Sequence, residues 1–374
     1  MTESADSGAA PPADSGAAPP DDRGAAPPDA EDSEVRADQL SLTRRLRQPR
    51  TIISIVLPIV LLVLFVRSLP GFKLEELPDK ILGANPLLLL AAFVIFYAGF
   101  PLRGVRWAIL VQKTGFALRV RDAIEIIFLS WLVNCLVPAK LGDVYRAYLL
   151  KINSSVSLSR TIGTVFIERI LDLFAIVTLG LAAGFVSFRS GLPGDVQVVF
   201  AIGIAFVLVL AGGLMTMRNF GRRILTTLPT PHRIIEFYDR FEEGVFGSIG
   251  LRALPRLVVI TGFIWATEAM RLYFVVQALG LPEVHLGISG AFFVALAASL
   301  LTAVPLTPAG IGFVETGVVG LLTVVYGVSE TDALAITLVD RAISVLSIIA
   351  IGSVVYALSS KRRGLGVQAA PTPA

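Results

Sequence analysis

Apolar residues come in long blocks along this chain, and polar ones gather between the blocks. Apolar stretches long enough to span recur at about 51–69, 86–111, 161–188, 196–217, 257–279 and 332–358. A helix needs about 20 such residues to cross a ~30 Å hydrocarbon core, so the pattern predicts an all-α polytopic membrane protein. Two further blocks are short. Residues 122–137 number sixteen, roughly 24 Å as a helix, and 287–304 is similar. Each runs into a helix break: Pro138-Ala139-Lys140-Leu141-Gly142 and Pro308-Ala309-Gly310-Ile311-Gly312. An apolar helix is expected after the second, at 313–326.

Charge decides how these blocks cross. Arg44, Arg45, Arg47 and Arg50 precede the first span, which places the N-terminus in the cytoplasm. The connection 218–256 carries seven arginines, and Lys361-Arg362-Arg363 follows the last span. If every apolar block crossed, both basic clusters would fall outside. If 122–150 and 288–327 are re-entrant hairpins, about six full spans remain and every arginine cluster falls inside. The second arrangement is the expectation. Within 218–256, Ile234, Phe237, Phe241, Val245 and Ile249 recur at helical spacing. That predicts an amphipathic helix, lying on the membrane face or packed on the ends of the bundle.

The predicted domains are a tail at 1–50, a transmembrane domain at 51–360 and a cytoplasmic tail at 361–374. In the first, Asp6-Ser-Gly-Ala-Ala-Pro-Pro recurs at Asp14 and, with an arginine, at Asp22. Such a stretch buries too little apolar surface to offset its ordering entropy, so disorder is expected. Its acidity and lack of an apolar core exclude a signal peptide.

The transmembrane domain divides into halves at about 51–190 and 196–358, each with two spans, a broken hairpin and a third span. Glu168-Arg169 stands thirty residues after Pro138, and Asp340-Arg341 thirty-two after Pro308. Arg103 and Arg106 have a looser echo in Glu268 and Arg271. Three true spans per half make the halves oppositely oriented, an inverted repeat of the kind transporters build around a midplane site. Chance likeness among Ala/Gly/Pro-rich helices is the competing explanation.

Composition agrees: 54% of the chain is hydrophobic and the mean hydropathy is +0.74. Cys135, the single cysteine, is expected to be a packing residue. His232 and His285 lie far apart, without metal-ligand spacing, so no metal or cofactor is expected. Nothing points to nucleic acid.

The candidate chemistry is charge at membrane depth. Glu168 and Asp172 share a helix face, with Arg169 turned elsewhere. Two acids there need a cation between them or a proton on one. Lys140, Arg146 or Arg106 would supply the cation; an acid that keeps its proton would be a proton carrier. A purely structural ion-pair network remains the alternative. Lys140, Arg146, Arg106 and Arg341 could also hold a phosphate, and broken helices add free N–H groups. Gly142, Gly310 and Gly312 would admit close backbone approach, to a ligand or to another helix. Glu315 is explained equally by its place near a helix start. Ser130 and Asn134, four apart, would bond between helices.

The order Pro138-Ala-Lys-Leu-Gly-Asp143-x-x-Arg146, Glu168-Arg-x-x-Asp172, Pro308-Ala-Gly-x-Gly-x-x-Glu315 and a late acid–Arg341 resembles the lysylphosphatidylglycerol synthase transmembrane family, also called flippase-like or UPF0104. The resemblance covers about 50–360. It departs at Ala309, where a glycine is expected, and at Asp340, where an apolar or aromatic residue is usual. It implies translocation or handling of lipid-linked anionic headgroups, with Lys140, Arg146, Arg106 and Arg169 on the phosphate and Glu168, Asp172, Asp143 and Glu315 balancing charge. The expected partners are membrane lipids, with a glycosyltransferase or other lipid-modifying enzyme as a further candidate. A membrane-embedded transferase acting on polyprenyl-linked or phospholipid substrates is the alternative function. No aminoacyl-transfer domain follows residue 363, so lysylphosphatidylglycerol synthesis is not expected of this chain.

Overall fold

The computed structural model describes positions 60, 64 and 67 and residues 73–363, apart from 138–139, 155, 189–193, 218–222, 224–226, 228–231, 249–251 and 303–306. The predicted tail at 1–50, nearly all of the first span, Pro138, and residues 364–374 lie outside the described residues. Every element among the described residues is helical. In chain order these are α1 (Leu77–Leu82), α2 (Pro86–Lys113), α3 (Val120–Leu136), α4 (Leu141–Asn153), α5 (Leu158–Ser187), α6 (Gly194–Thr216) and α7 (His232–Ser248). After them come α8 (Leu254–Leu279), α9 (Ile288–Leu301), α10 (Phe313–Tyr326), α11 (Glu330–Arg341) and α12 (Ser347–Leu358). Short 3-10 turns stand at Leu74–Glu76, Pro308–Gly310 and Lys361–Arg363. Among the described residues, five runs are long and apolar enough to cross a membrane: 86–113, 158–187, 254–279, 308–326 and 330–358.

Local chemistry sets the helix starts. Asn85 accepts from the Leu87 backbone N–H at 3.0 Å, and Pro86 follows it as the first helical residue of α2. Ser157 caps α5 by accepting from Arg160 N–H at 3.2 Å, and Ser329 caps α11 by accepting from Asp332 N–H at 3.2 Å. The last span is not one regular helix. Between α11 and α12 the backbone widens into a π turn at Ala342–Leu346, directly after Asp340-Arg341. Such turns gather at functional sites because they re-aim the side chains beside them.

Packing follows a reciprocal pattern. The central contact, and the most extensive, is α2 against α8. The short helix α3 packs on α12, while the short helix α9 packs on α5. Each helix that follows a break rests on the next long one, α4 on α5 and α10 on α11. Aromatic rings fill the space between α2 and α3, where Phe100 and Phe128 lie 4.4 Å apart and Trp131 stands edge-on to Phe100 at 5.2 Å.

The predicted amphipathic helix forms as α7 and packs on α5 rather than standing away from the bundle. Gly163 and Gly244 permit this approach: a Cβ on Gly244 would sit 2.2 Å from the Arg160 carbonyl oxygen. The basic end of the chain differs from its sequence expectation too. Lys361 is buried and pairs with Asp122 at 3.1 Å, and its carbonyl accepts from Asn153 Nδ2 at 2.7 Å. The predicted C-terminal tail therefore begins by pinning the start of α3 and the end of α4.

Candidate functional site

The two breaks are built by different means. At the first, Ser130 Oγ donates to the Gly142 carbonyl at 2.8 Å, and the Gly142 N–H donates to Asn134 Oδ1 at 2.8 Å. These bonds staple α4 back onto α3, the role expected of Ser130 and Asn134. Gly142 is needed for that closeness, because a Cβ there would lie 2.0 Å from the Ser130 carbonyl oxygen. Its glycine serves helix packing. The turn before it leaves Lys140 in the left-handed region at φ 50°.

At the second break Ala309 has φ 51°, Gly310 72° and Gly312 84°. Glu315 Oε2 accepts from the Gly312 N–H at 2.6 Å, so the acid does cap its helix. Its other oxygen accepts from Arg341 Nε at 2.6 Å, and Arg341 Nη2 also donates to the Ala309 carbonyl. One arginine on α11 thus holds both the cap and the turn. Lys140 and Gly310 each stand two residues after a proline, and both have positive φ. A residue with a Cβ gives up roughly 1–2 kcal/mol there.

Charges at membrane depth form two connected clusters. In one, Glu168 accepts from Arg146 and from Arg106 Nε at 3.2 Å. Asp172 accepts from Arg106 Nη1 at 2.6 Å and from Trp265 Nε1 at 3.1 Å. Arg169 is not turned away from these acids. It grips Asp143 through both ends of its guanidinium, at 2.7 and 2.9 Å, and reaches Asp172 at 3.4 Å. A long side chain spans the gap because α4 and α5 lie side by side. In the other cluster, Arg103 meets Glu268 at 2.7 Å, and Arg271 bridges Glu268 at 2.8 Å and Asp340 at 2.8 Å. Buried charges persist in such surroundings only when paired like this.

A cavity of about 480 Å³ lies between the clusters. Among the predicted site residues, Lys140, Asp143, Arg169, Asp172, Arg341 and Gly310 line it. Arg106, Arg146, Glu168 and Glu315 do not; they stand behind and fix the lining residues. Arg103, Glu268, Arg271 and Asp340 also line the cavity, with Trp131 and Trp265. Sequence reasoning noted the first three only as an echo of the repeat. Their signal was charge within an apolar run, the same signal that singled out Arg106.

Lys140 stands apart. Six arginines and six carboxylates pair off in the two clusters and at Glu315–Arg341. Lys140 is half-buried in the cavity wall, and its ammonium makes no hydrogen bond or ion pair among the described residues. Apolar residues line the cavity as well, with Phe166, Ile170 and Leu173 at helical spacing on α5 and Val314 and Val318 on α10. No group of three or more His, Cys, Asp or Glu among the described residues is arranged to hold a metal ion. The cavity can therefore accept an amphiphile, with an anionic group beside Lys140 and an apolar part against α5.

Comparison with known proteins gives this arrangement a setting. A UPF0104 membrane protein of Methanocaldococcus jannaschii is 35% identical over 227 residues, which are 60% of this chain and 92% of the relative. A UPF0104 membrane protein of Methanothermobacter thermautotrophicus is 28% identical over 328 residues, 80% of this chain and 93% of the relative. Glycosyltransferase AglD of Haloferax volcanii is 26% identical over 344 residues; the match covers 81% of this chain and 53% of AglD. The lysylphosphatidylglycerol synthase TM region matches residues 51–352, including both breaks and every charged residue of the two clusters. The chain belongs to that family of membrane proteins.

Proposed function

We propose that the chain is a flippase-like transporter of the cell membrane that moves an anionic lipid or lipid-linked headgroup through this cavity. The observation that carries the reading is Lys140. Its ammonium is a partly buried cation without a partner among the described residues, on a backbone turn that disfavours residues with a Cβ. An anion drawn into the cavity gives the charge its partner. Around it, Asp143 and Arg169 shape the floor, with Arg341 at the second break. Arg106, Arg146, Glu168, Asp172 and Glu315 act on the headgroup by holding those groups in place.

The transport cycle we infer uses two oppositely oriented halves with re-entrant hairpins α3–α4 and α9–α10, and both termini in the cytoplasm. Several relationships support it. Arg106 binds Glu168 and Arg271 binds Asp340; Arg169 binds Asp143 and Arg341 binds Glu315, each across 26 residues. The short helices α3 and α9 have 17 and 14 residues, roughly 26 and 21 Å, against a ~30 Å core. Each packs on a helix of the opposite half, α3 on α12 and α9 on α5. Rocking of the halves about the shared cavity would expose it alternately to the two sides.

A second reading is favoured by one comparison: a relative that covers most of the chain is named a glycosyltransferase. In that reading the chain presents a lipid-linked substrate to such an enzyme, or itself acts as a membrane-embedded transferase. Reconstitution separates the readings. Liposomes containing the purified protein and fluorescent anionic lipids should show lipid exchange between leaflets. Lys140→Ala and Arg146→Ala should slow it at least tenfold. Exchange at the protein-free rate in all three samples would sink the transporter reading for those lipids. Cysteine labelling of 218–256 from outside intact cells would refute the two-hairpin topology.

A further inference from the structure

We propose that the cavity is matched to a single negative charge, so that it accepts a phosphodiester headgroup and discriminates against a phosphomonoester dianion, with Lys140 setting the preference. This rests on reading the cavity as a headgroup site. Charge balance carries the inference. Arginines and carboxylates at membrane depth are equal in number, and each carboxylate has an arginine within hydrogen-bond reach. Among the cations that line the cavity, Lys140 is the one left without a carboxylate partner among the described residues. The residues lining the cavity therefore sum to one net positive charge.

A ligand with one negative charge brings the site to neutrality. A phosphomonoester carries about −1.5 to −2 at neutral pH and above, and its second charge would meet only carboxylates or arginines already engaged. Asp143, Asp172, Glu268 and Asp340 all line the cavity. A surplus anion beside them is costly where water is scarce. No arginine can turn to meet it without abandoning a buried carboxylate. Arg169 grips Asp143 through two nitrogens and Arg271 spans Glu268 and Asp340, while Arg103 is held by a single hydrogen bond to Glu268 and leaves its buried Nη1 without a partner among the described residues. Among the described residues lining the cavity, Lys140 is the one cation whose charge is not matched by a paired carboxylate. The apolar wall formed by Phe166, Ile170, Leu173 and Val318 adds the requirement that the headgroup arrive with its chain.

The backbone supplies a clean variant. Lys140 has φ 50°, a conformation glycine adopts at no steric cost, and Gly310 does so at the corresponding place in the second break. Lys140→Gly removes the charge while suiting the turn, so a loss of binding in this variant does not reflect misfolding. The opposite change is Asp143→Asn, which releases Arg169 and raises the net charge by one.

The test is lipid binding to the full chain in nanodiscs of zwitterionic lipid at pH 7, read by the change in tryptophan fluorescence, since Trp131 and Trp265 line the cavity. The probes are short-chain phosphatidylglycerol as the phosphodiester, phosphatidic acid as the phosphomonoester, and chain-free glycerophosphoglycerol. The wild type should bind phosphatidylglycerol at least tenfold more tightly than either other probe. Lys140→Gly should lose at least tenfold in phosphatidylglycerol affinity while its thermal unfolding shows no loss of stability. Asp143→Asn should narrow or reverse the preference for phosphodiester over phosphomonoester. Equal binding of phosphatidylglycerol and phosphatidic acid to the wild type would overturn charge matching and leave the headgroup site standing. Equal binding of glycerophosphoglycerol would overturn the lipid requirement. No binding of any probe, with Lys140→Gly identical to the wild type, would overturn the headgroup reading itself and this inference with it.

Discussion

Arg103 on α2 and Glu268 on α8 face each other at 2.7 Å across the most extensive helix contact in the bundle. Each stands three residues before an arginine, Arg106 and Arg271, that binds an acid on a later helix. Glu268 therefore has two cations on it, and removing it leaves Arg103 without its carboxylate partner and Arg271 with only Asp340. Glu268→Ala should destabilise the protein by about 3–5 kcal/mol, the usual result of stripping one partner from a buried ion pair. Arg103→Met combined with Glu268→Leu removes both members and should recover part of that loss. Thermal unfolding of the detergent-solubilised protein measures both. A double variant as unstable as Glu268→Ala would mean that packing, not the unpaired guanidinium, sets the loss.

The hairpin staple predicts a contrast between glycines. Gly142→Ala drives a methyl group into the Ser130 carbonyl, whereas Gly247 on α7 has open space where a Cβ would go. Gly142→Ala should cost about 1–3 kcal/mol through overpacking and displace the lysine turn, lowering lipid exchange as well. Gly247→Ala should be neutral or stabilise by up to about 1 kcal/mol, because alanine suits a helix better. Equal stabilities of the two variants would show that α4 is free to shift away from α3.

Much of this arrangement was legible in the residues, and the limits were physical. Apolar blocks marked the long helices within a few residues, because a lipid-facing helix has little alternative. Ser130, Asn134 and Glu315 were readable since their partners lie within a turn or a hairpin. Arg169 was not: helix geometry turns it away from Glu168, but its long side chain reaches Asp143 on another helix, a partner no local rule identifies. Nor did sequence show that Arg106 and Arg146 are engaged behind the cavity while Lys140 is free. Which cation meets which acid depends on how α2, α4, α5 and α8 pack. Lys361 belongs to the same class, as a tail lysine that proves to be a buried clamp on Asp122.

Outside the spans, Lys80 on α1 binds Asp332 at 2.8 Å and lies 3.7 Å from Glu76. Its hydrogen bond to Asp332 raises the Lys80 ammonium above its ordinary value, against a smaller opposing effect of burial. A lysine whose folded value is raised contributes stability that is fully present below the unfolded value, about 10.4. That contribution is lost as pH rises through the folded value. Wild-type thermal stability should therefore fall more steeply above about pH 10 than that of Lys80→Met, which lacks the titrating group. At pH 7 the wild type should be the more stable of the two, and the gap should close in alkali. Parallel curves would show that the pair contributes nothing to stability.

The two non-glycine residues with positive φ separate strain that serves a ligand from strain that does not. Ala309 and Lys140 have φ 51° and 50°, and each gives up roughly 1–2 kcal/mol relative to a relaxed backbone. Glycine relieves that strain, although its freer unfolded chain returns roughly 0.4–1 kcal/mol of the gain. Ala309→Gly should raise the unfolding temperature slightly and leave lipid exchange near the wild-type rate, because the Ala309 carbonyl that binds Arg341 remains. Lys140→Gly should match its effect on stability and yet slow exchange at least tenfold. The comparison holds backbone chemistry constant and changes only whether an unpaired ammonium is lost. If both variants exchange lipid at the wild-type rate, the charge at Lys140 has no part in transport. If both are equally slow, the rigidity of the two turns, rather than the ammonium, governs the rate.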